Sequence, residues 1–150
     1  MRKYKRKKGK AISKAKKYTY RGTEYKSGLE KYMAQVLYEN KIKFEYEPTK
    51  FELQEGFPFT LESYERQANG KGEFKNRGEK KLLPITYTPD FIGEGFIIET
   101  KGYANESFPM KWKMFKKLMN LENVTLYKPQ NQKECDETIK LILEKYEQQR

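Results

Sequence analysis

The chain has no histidine and a single cysteine in 150 residues. Without histidine there is no Ser-His-Asp triad, no histidine-based RNA cleavage and no His-Cys zinc site. Any acid–base or metal chemistry then rests on Asp, Glu, Lys and Tyr. Cys135 cannot close an internal disulfide. It falls in an apolar helical register and reads as a core filler, as expected in a reducing compartment. No run of about 18 apolar residues exists, so no membrane-spanning helix and no membrane partner are expected. No apolar leader segment opens the sequence, which makes a cytoplasmic location the expectation.

Mean hydropathy is low, at −1.05, yet 36% of the residues are hydrophobic and 15% aromatic. That supports one domain with a modest core rather than a disordered chain. The net charge of +11 is unevenly placed: residues 1–26 hold 12 of the 32 Lys and Arg and one acid, Glu24. The remaining basic and acidic residues balance. The excess charge therefore lies in a basic arm, placed at residues 1–25, with Lys3, Lys5, Arg6, Lys7, Lys8, Lys14, Lys16 and Lys17 as candidate phosphate contacts. Such a segment orders on a polyanion by counterion release, or serves as a solubilising or targeting tail.

The chain is organised around Tyr87-Thr88-Pro89-Asp90-Phe91-Ile92-Gly93-Glu94-Gly95-Phe96-Ile97-Ile98-Glu99-Thr100-Lys101-Gly102. Apolar, β-branched and aromatic residues flank Glu94-Gly95, the pattern of a hairpin with a two-residue loop. That register sets Gly93 opposite Phe96, Ile92 opposite Ile97, Phe91 opposite Ile98 and Asp90 opposite Glu99. Opposed residues share a sheet face with Cβ atoms roughly 4.5–5.5 Å apart, and like charges there are destabilising. Strand period two adds Lys101 to the same face. A divalent cation would resolve the repulsion, and Mg2+ suits best because one or two carboxylates hold it while water and phosphate complete its shell. An ordinary hairpin end with Lys101 paired to Glu99 reads the same residues without a metal.

Around this hairpin the elements follow in order. Ser27 with Glu30 is a capping box, and Leu29, Met33, Val36 and Leu37 give the helix after it one apolar face, with Asn40 as its stop. Residues 42–47 alternate as a half-buried strand, and 51–54 form another. Residues 55–82 are broken by Gly and Pro and read as a hairpin or flexible excursion, charged either for phosphate contact or for solubility. Ser107 or Phe108 precedes Pro109 at a first helical position. Met110, Met114, Phe115 and Leu118 are expected to face the core, with Trp112 over its edge. Lys111, Lys113, Lys116 and Lys117 then form either a solvated surface or one that holds a phosphate backbone. A short strand over 124–127 and a final helix from about Asn131, with Cys135, Ile139, Ile142, Leu143 and Tyr146 on one face, complete the pattern. The fold class is α/β or α+β, a mixed central sheet flanked by helices, with a basic N-terminal arm.

Lys26-Ser27-Gly28-Leu29-Glu30, then Lys41-Ile42-Lys43-Phe44-Glu45-Tyr46-Glu47, then Tyr87-Thr88-Pro89-Asp90-Phe91 and Glu99-Thr100-Lys101-Gly102 together resemble the phage endonuclease I family. These are Holliday-junction-resolving nucleases of the restriction-endonuclease-like, PD-(D/E)xK superfamily. The resemblance covers about half of the chain in order. It implies a restriction-endonuclease-like nuclease domain at 26–150 with an insertion at about 55–82. It implies that Asp90 and Glu99 bind Mg2+, with Mn2+ able to substitute, and that Glu30 completes the site. Lys101 would assist the attacking water or the phosphate. The Thr100 carbonyl would be a further metal ligand, its side chain facing the core. The implied activity is resolution of branched DNA, four-way junctions above all, to 5′-phosphate and 3′-hydroxyl ends. A homodimer in a phage or bacterial host cytoplasm is implied too, with elements exchanged so that Glu30 serves the partner's site. The 55–81 segment is longer than the family pattern, and no match extends beyond Ala104. Two other readings stay open: a sequence-specific homing or restriction-type endonuclease, and a non-catalytic nucleic-acid-binding protein whose acidic hairpin is incidental.

Overall fold

The computed structural model describes residues 18–102 and 105–150. The arm residues Lys3, Lys5, Arg6, Lys7, Lys8, Lys14, Lys16 and Lys17 lie outside the described residues. Strands β1 (Tyr18–Tyr20) and β2 (Thr23–Tyr25) pair antiparallel around Arg21-Gly22. Tyr25 is buried in the core, and Tyr18 and Tyr20 pack against it. Residues 18–25 therefore belong to the folded unit, eight residues ahead of the boundary that charge alone drew at 25. The tyrosines between the lysines supply the apolar area that anchors the hairpin on the next helix.

That helix, α1 (Gly28–Glu39), starts where Ser27 Oγ accepts the Glu30 N–H at 3.1 Å, and ends at Asn40. Met33, Ala34, Val36 and Leu37 form its buried face. Strand β3 (Phe44–Tyr46) is shorter than the alternation over 42–47 indicates, with Ile42 buried in the connection before it. The next six strands build one antiparallel ribbon. Strand β4 (Phe51–Gln54) pairs with β9 (Ile85–Tyr87), β5 (Phe57–Phe59) with β8 (Lys80–Leu82), and β6 (Tyr64–Glu65) with β7 (Lys75–Asn76). The 55–82 insertion is thus the outer part of a long hairpin. It exposes Phe57, Leu61, Tyr64 and Phe74.

Strands β10 (Phe91–Gly93) and β11 (Phe96–Ile98) form the central hairpin in the register expected from the sequence. Gly95 turns it at φ 75°. Gly93 has a steric reason: a Cβ there would lie 2.1 Å from the Phe96 ring and 2.8 Å from the Lys43 carbonyl oxygen. Helix α2 (Phe108–Met119) and strand β12 (Thr125–Tyr127) follow, and helix α3 (Gln132–Gln148) closes the described chain. The central sheet has the order β12-β11-β10-β3, parallel between β11 and β12 and antiparallel elsewhere. The fold is mixed α and β.

Strand alternation divides the core between the two faces of this sheet. Phe91, Phe96, Ile98 and Tyr127 point to α1 and α3, where they meet Met33, Leu37, Cys135, Ile139 and Ile142. Ile92, Ile97 and Leu126 point the other way, to Tyr87, Phe108, Trp112 and Phe115. Helix α2 is phased differently from the expected stripe. Its buried residues are Phe108, Trp112 and Phe115, while Met110 and Leu118 are exposed. The aromatic i, i+4, i+7 set carries more area than the methionines and takes the core side. Ser107 makes no capping bond; Asn105 Oδ1 accepts the Phe108 N–H instead, at 3.0 Å. Cys135 is fully buried and its thiol is pushed up to about 12 by desolvation, which makes it an unreactive core residue.

The hairpin register depends on Gly93, so Gly93→Ala is expected to destabilise by more than about 2 kcal/mol, through overpacking against ring and backbone. Gly95→Ala meets no atom within 4 Å and carries only the left-handed strain of about 1 kcal/mol. Thermal unfolding of both variants checks this ranking, and equal midpoints would contradict the register.

Candidate active site

Asp90 and Glu99 stand one residue beyond the paired ends of β10 and β11, on the face that also carries Ile92 and Ile97. The chain holds them there through its backbone. The Asp90 carbonyl accepts the Glu47 N–H at 2.8 Å, tying the strand to β3, and the Glu99 N–H donates to the Tyr127 carbonyl at 2.9 Å, tying it to β12. Both side chains are buried, with 7% and 6% of their surface exposed. Two carboxylates at the end of one hairpin, out of water and side by side, are an unfavourable electrostatic arrangement.

Both carboxyl pKa values are raised as a result. Desolvation and then the Glu99 charge push the Asp90 carboxyl from its usual 3.8 up to about 7, against the pull of its hydrogen bonds from Thr100. Desolvation also raises Glu99; a hydrogen bond from Tyr87, the Lys101 charge and the Asp90 N–H offset part of that rise. Each carboxylate has one oxygen fixed. Asp90 Oδ2 accepts the Thr100 N–H at 2.8 Å and the Thr100 hydroxyl at 2.7 Å. Glu99 Oε2 accepts the Tyr87 hydroxyl at 2.6 Å. No side chain among the described residues hydrogen-bonds Asp90 Oδ1 or Glu99 Oε1.

The remaining expected site residues fall close by, with two differences. Thr100 is buried as expected, but its hydroxyl turns to Asp90 instead of facing an apolar core. Glu30 approaches from the first turn of α1 in the same chain, and its charge raises both Asp90 and Glu99. No exchange of elements between subunits is needed to bring it there. Its carboxylate is already engaged by the Lys26 N–H at 3.1 Å, the Ser27 hydroxyl at 3.2 Å and the Tyr46 hydroxyl at 2.5 Å. Glu30 thus caps its helix and faces the site at once.

Lys101 shares the face of Glu99, yet the two do not form an ion pair. The ion pairs among the described residues are Lys26–Glu47 and Lys80–Glu65. The Lys101 ammonium lies over the Phe108 ring, 4.5 Å from its centroid. Lys128, which nothing in its local sequence marks, approaches the same ring at 5.8 Å. On α2, Lys113, Lys116 and Lys117 are exposed and Lys111 is half-buried, and the Lys116 ammonium lies 5.9 Å from the Trp112 ring centroid. Tyr46 and Tyr87 are further neighbours without a signal in the sequence. Each reaches its carboxylate across twelve or more residues, a contact that no local spacing encodes.

Among the described residues no three Asp, Glu or Cys side chains converge closely enough to hold a metal ion by themselves. Mg2+ asks for less: one or two carboxylates, with water and substrate oxygens completing its octahedron. Asp90 and Glu99, buried, mutually repelling and each with one oxygen free of side-chain hydrogen bonds, are suited to such an ion.

The raised Asp90 value has a definite sign in stability. Its unfolded carboxyl titrates near 3.8, so between there and about 7 the folded state holds a proton that the unfolded state has lost. Metal-free protein should lose stability as pH rises through that window, by a few kcal/mol at most. Asp90→Asn is expected to raise the unfolding midpoint at pH 8 in chelator, with the gain fading toward pH 4. Mg2+ should stabilise the wild type at pH 8 and leave Asp90→Asn unchanged; calorimetric scans with and without the ion check both. Comparison of the chain with known families, with curated proteins and with solved structures returns no match.

Proposed function

We propose that this chain is a magnesium-dependent, structure-selective DNA endonuclease that cuts branched DNA, four-way junctions in particular, by phosphodiester hydrolysis. The observation that carries the reading is the buried Asp90–Glu99 pair, with Glu30 and Lys101 beside it, at the end of the central hairpin. This is the constellation expected from the resemblance to the phage endonuclease I family, on a mixed sheet with helices on both faces. A restriction-endonuclease-like fold is part of the proposal.

In this reading Asp90 and Glu99 hold the ion and Thr100 fixes Asp90 from both its amide and its hydroxyl. Mg2+ bound there, or Mn2+ in its place, would supply Lewis acidity at the scissile phosphate and would lower the pKa of a water. Lys101, unpaired with Glu99 and resting on the Phe108 ring, is free to swing to a phosphate oxygen and stabilise the charge that builds up there. Glu30 adds a third negative charge at the margin of the site. The products are 5′-phosphate and 3′-hydroxyl ends, as in the family it resembles.

Binding is assigned to the basic arm and to Lys111, Lys113, Lys116 and Lys117 of α2. Lysines contact phosphates without reading bases, so they favour shape over sequence. Two symmetric cuts across a junction need two such sites, which is the reason to propose a homodimer; the expected setting is the host cytoplasm.

A second reading has its own observation. The ribbon from β4 to β9 is a two-stranded antiparallel element with exposed side chains at its outer end, and a two-stranded ribbon fits the DNA major groove. A sequence-specific homing or restriction-type endonuclease would use it to read bases.

The test is cleavage of an end-labelled four-way junction and its matching linear duplex, by wild type and Asp90→Asn, in Mg2+ and in chelator. Selective junction cutting by wild type only with metal, and binding without cutting by Asp90→Asn, is the expected result. Cutting of linear duplex at one fixed sequence favours the second reading. Tight binding with no cleavage under any condition overturns both. Replacing Lys113, Lys116 and Lys117 by alanine should weaken junction binding and lower the slope of log K against log salt by about 0.9 for each phosphate no longer neutralised.

A further inference from the structure

Tyr87 ends β9, at the root of the ribbon, paired with Phe51 across the strands. Its ring is walled in by Phe115, Phe108 and Trp112, at centroid distances of 4.8, 6.3 and 6.3 Å. Its hydroxyl, buried with it, donates to Glu99 Oε2 at 2.6 Å. A phenylalanine would fill the same aromatic pocket equally well, so packing gives no reason for the oxygen. The hydroxyl has one partner, and that partner is the carboxylate.

We propose that Tyr87 is a positioning residue for Glu99: it fixes the carboxylate in the orientation that receives a divalent cation. The inference rests on the reading of Asp90 and Glu99 as a Mg2+ site and deepens it. A 2.6 Å O–H···O contact is in the range of a charge-assisted bond to a carboxylate. It occupies Oε2 and leaves Oε1, which accepts no side-chain hydrogen bond among the described residues. Glu99 has three side-chain torsions, and Tyr87 is the side chain that pins it; with the Asp90 N–H alone, its orientation would be less narrowly set. The anchor itself cannot move: β9 is held by β4, and the ring by the aromatic face of α2. Outer-shell partners of this kind typically change metal affinity or activity 10–100-fold when removed. Asp90 is held in the same manner by Thr100, so both carboxylates are oriented before an ion arrives.

The test is titration of Mn2+ into DNA-free wild type, Tyr87→Phe and Tyr127→Phe, followed by the electron paramagnetic resonance signal of free Mn2+. Tyr127 is the control: it is a buried tyrosine whose side chain packs with α1 and α3, on the sheet face opposite Glu99. Tyr87→Phe should bind Mn2+ 10–100-fold more weakly, with Tyr127→Phe unchanged. In cleavage of a four-way junction, Tyr87→Phe should need correspondingly more Mg2+ for half-maximal rate and recover to within a few-fold of wild type at saturation. A purely structural role would lower the rate equally at every Mg2+ concentration. Trp112→Phe, which loosens the wall around Tyr87 and leaves its hydroxyl, should weaken Mn2+ binding in the same direction by less; it serves as the second variant if Tyr87→Phe fails to fold. Unchanged Mn2+ affinity in Tyr87→Phe, or in Trp112→Phe where that variant stands in, overturns the positioning role while leaving the metal site in place. No Mn2+ binding by wild type removes the site reading and the proposal together.

Discussion

Two carboxylates buried beside one another at the end of a hairpin set the terms for the rest of this molecule. Burial penalises each charge, proximity penalises the second further, and the strands that carry them are too apolar to open toward water. The fold keeps them there only because the hairpin is fixed on every side. Gly93 lets Phe96 close over the turn, β3 and β12 hold the backbone on the two flanks, and aromatic residues fill both faces. A structure selected for stability alone would place apolar residues at 90 and 99.

The neighbours divide the task of holding that charge. Thr100 gives Asp90 two donors and Tyr87 gives Glu99 one, while Tyr46, Ser27 and Lys26 do the same for Glu30. None of these brings a full positive charge into hydrogen-bonding contact with Asp90 or Glu99. The nearest ammonium on that face, Lys101, rests on an aromatic ring, where a cation gains about 0.5–2 kcal/mol. The negative charge is organised but not neutralised. Among the described residues, the hairpin end is therefore not closed by a salt bridge.

Much of this was legible in the sequence because it is local. Glu94-Gly95 between β-branched and aromatic runs fixes the hairpin and hence the pairing of Phe91 with Ile98, which brings Asp90 and Glu99 together at its end. Ser27 and Glu30 mark the start of α1, and Asn131 the start of α3. What escaped is either masked or distant. The Tyr18–Tyr25 hairpin is embedded in a lysine-rich stretch whose charge hides its tyrosines. The phase of α2 follows from a competition between two plausible stripes, decided by the area of Phe108 and Trp112 against an opposing face that only the fold supplies. Tyr87 is twelve residues from Glu99 and Tyr46 sixteen from Glu30, and no periodicity links them.

The most direct test of the central claim is crystallographic. Crystals of the DNA-free protein soaked in Mn2+ should show one anomalous peak at the Asp90 and Glu99 carboxylates, with Tyr87 and Thr100 still bonded to Glu99 Oε2 and Asp90 Oδ2. An empty position at saturating Mn2+, with the Lys101 ammonium swung between the two carboxylates, would contradict it: the charge would then be satisfied from within, and the hairpin end would be scaffold.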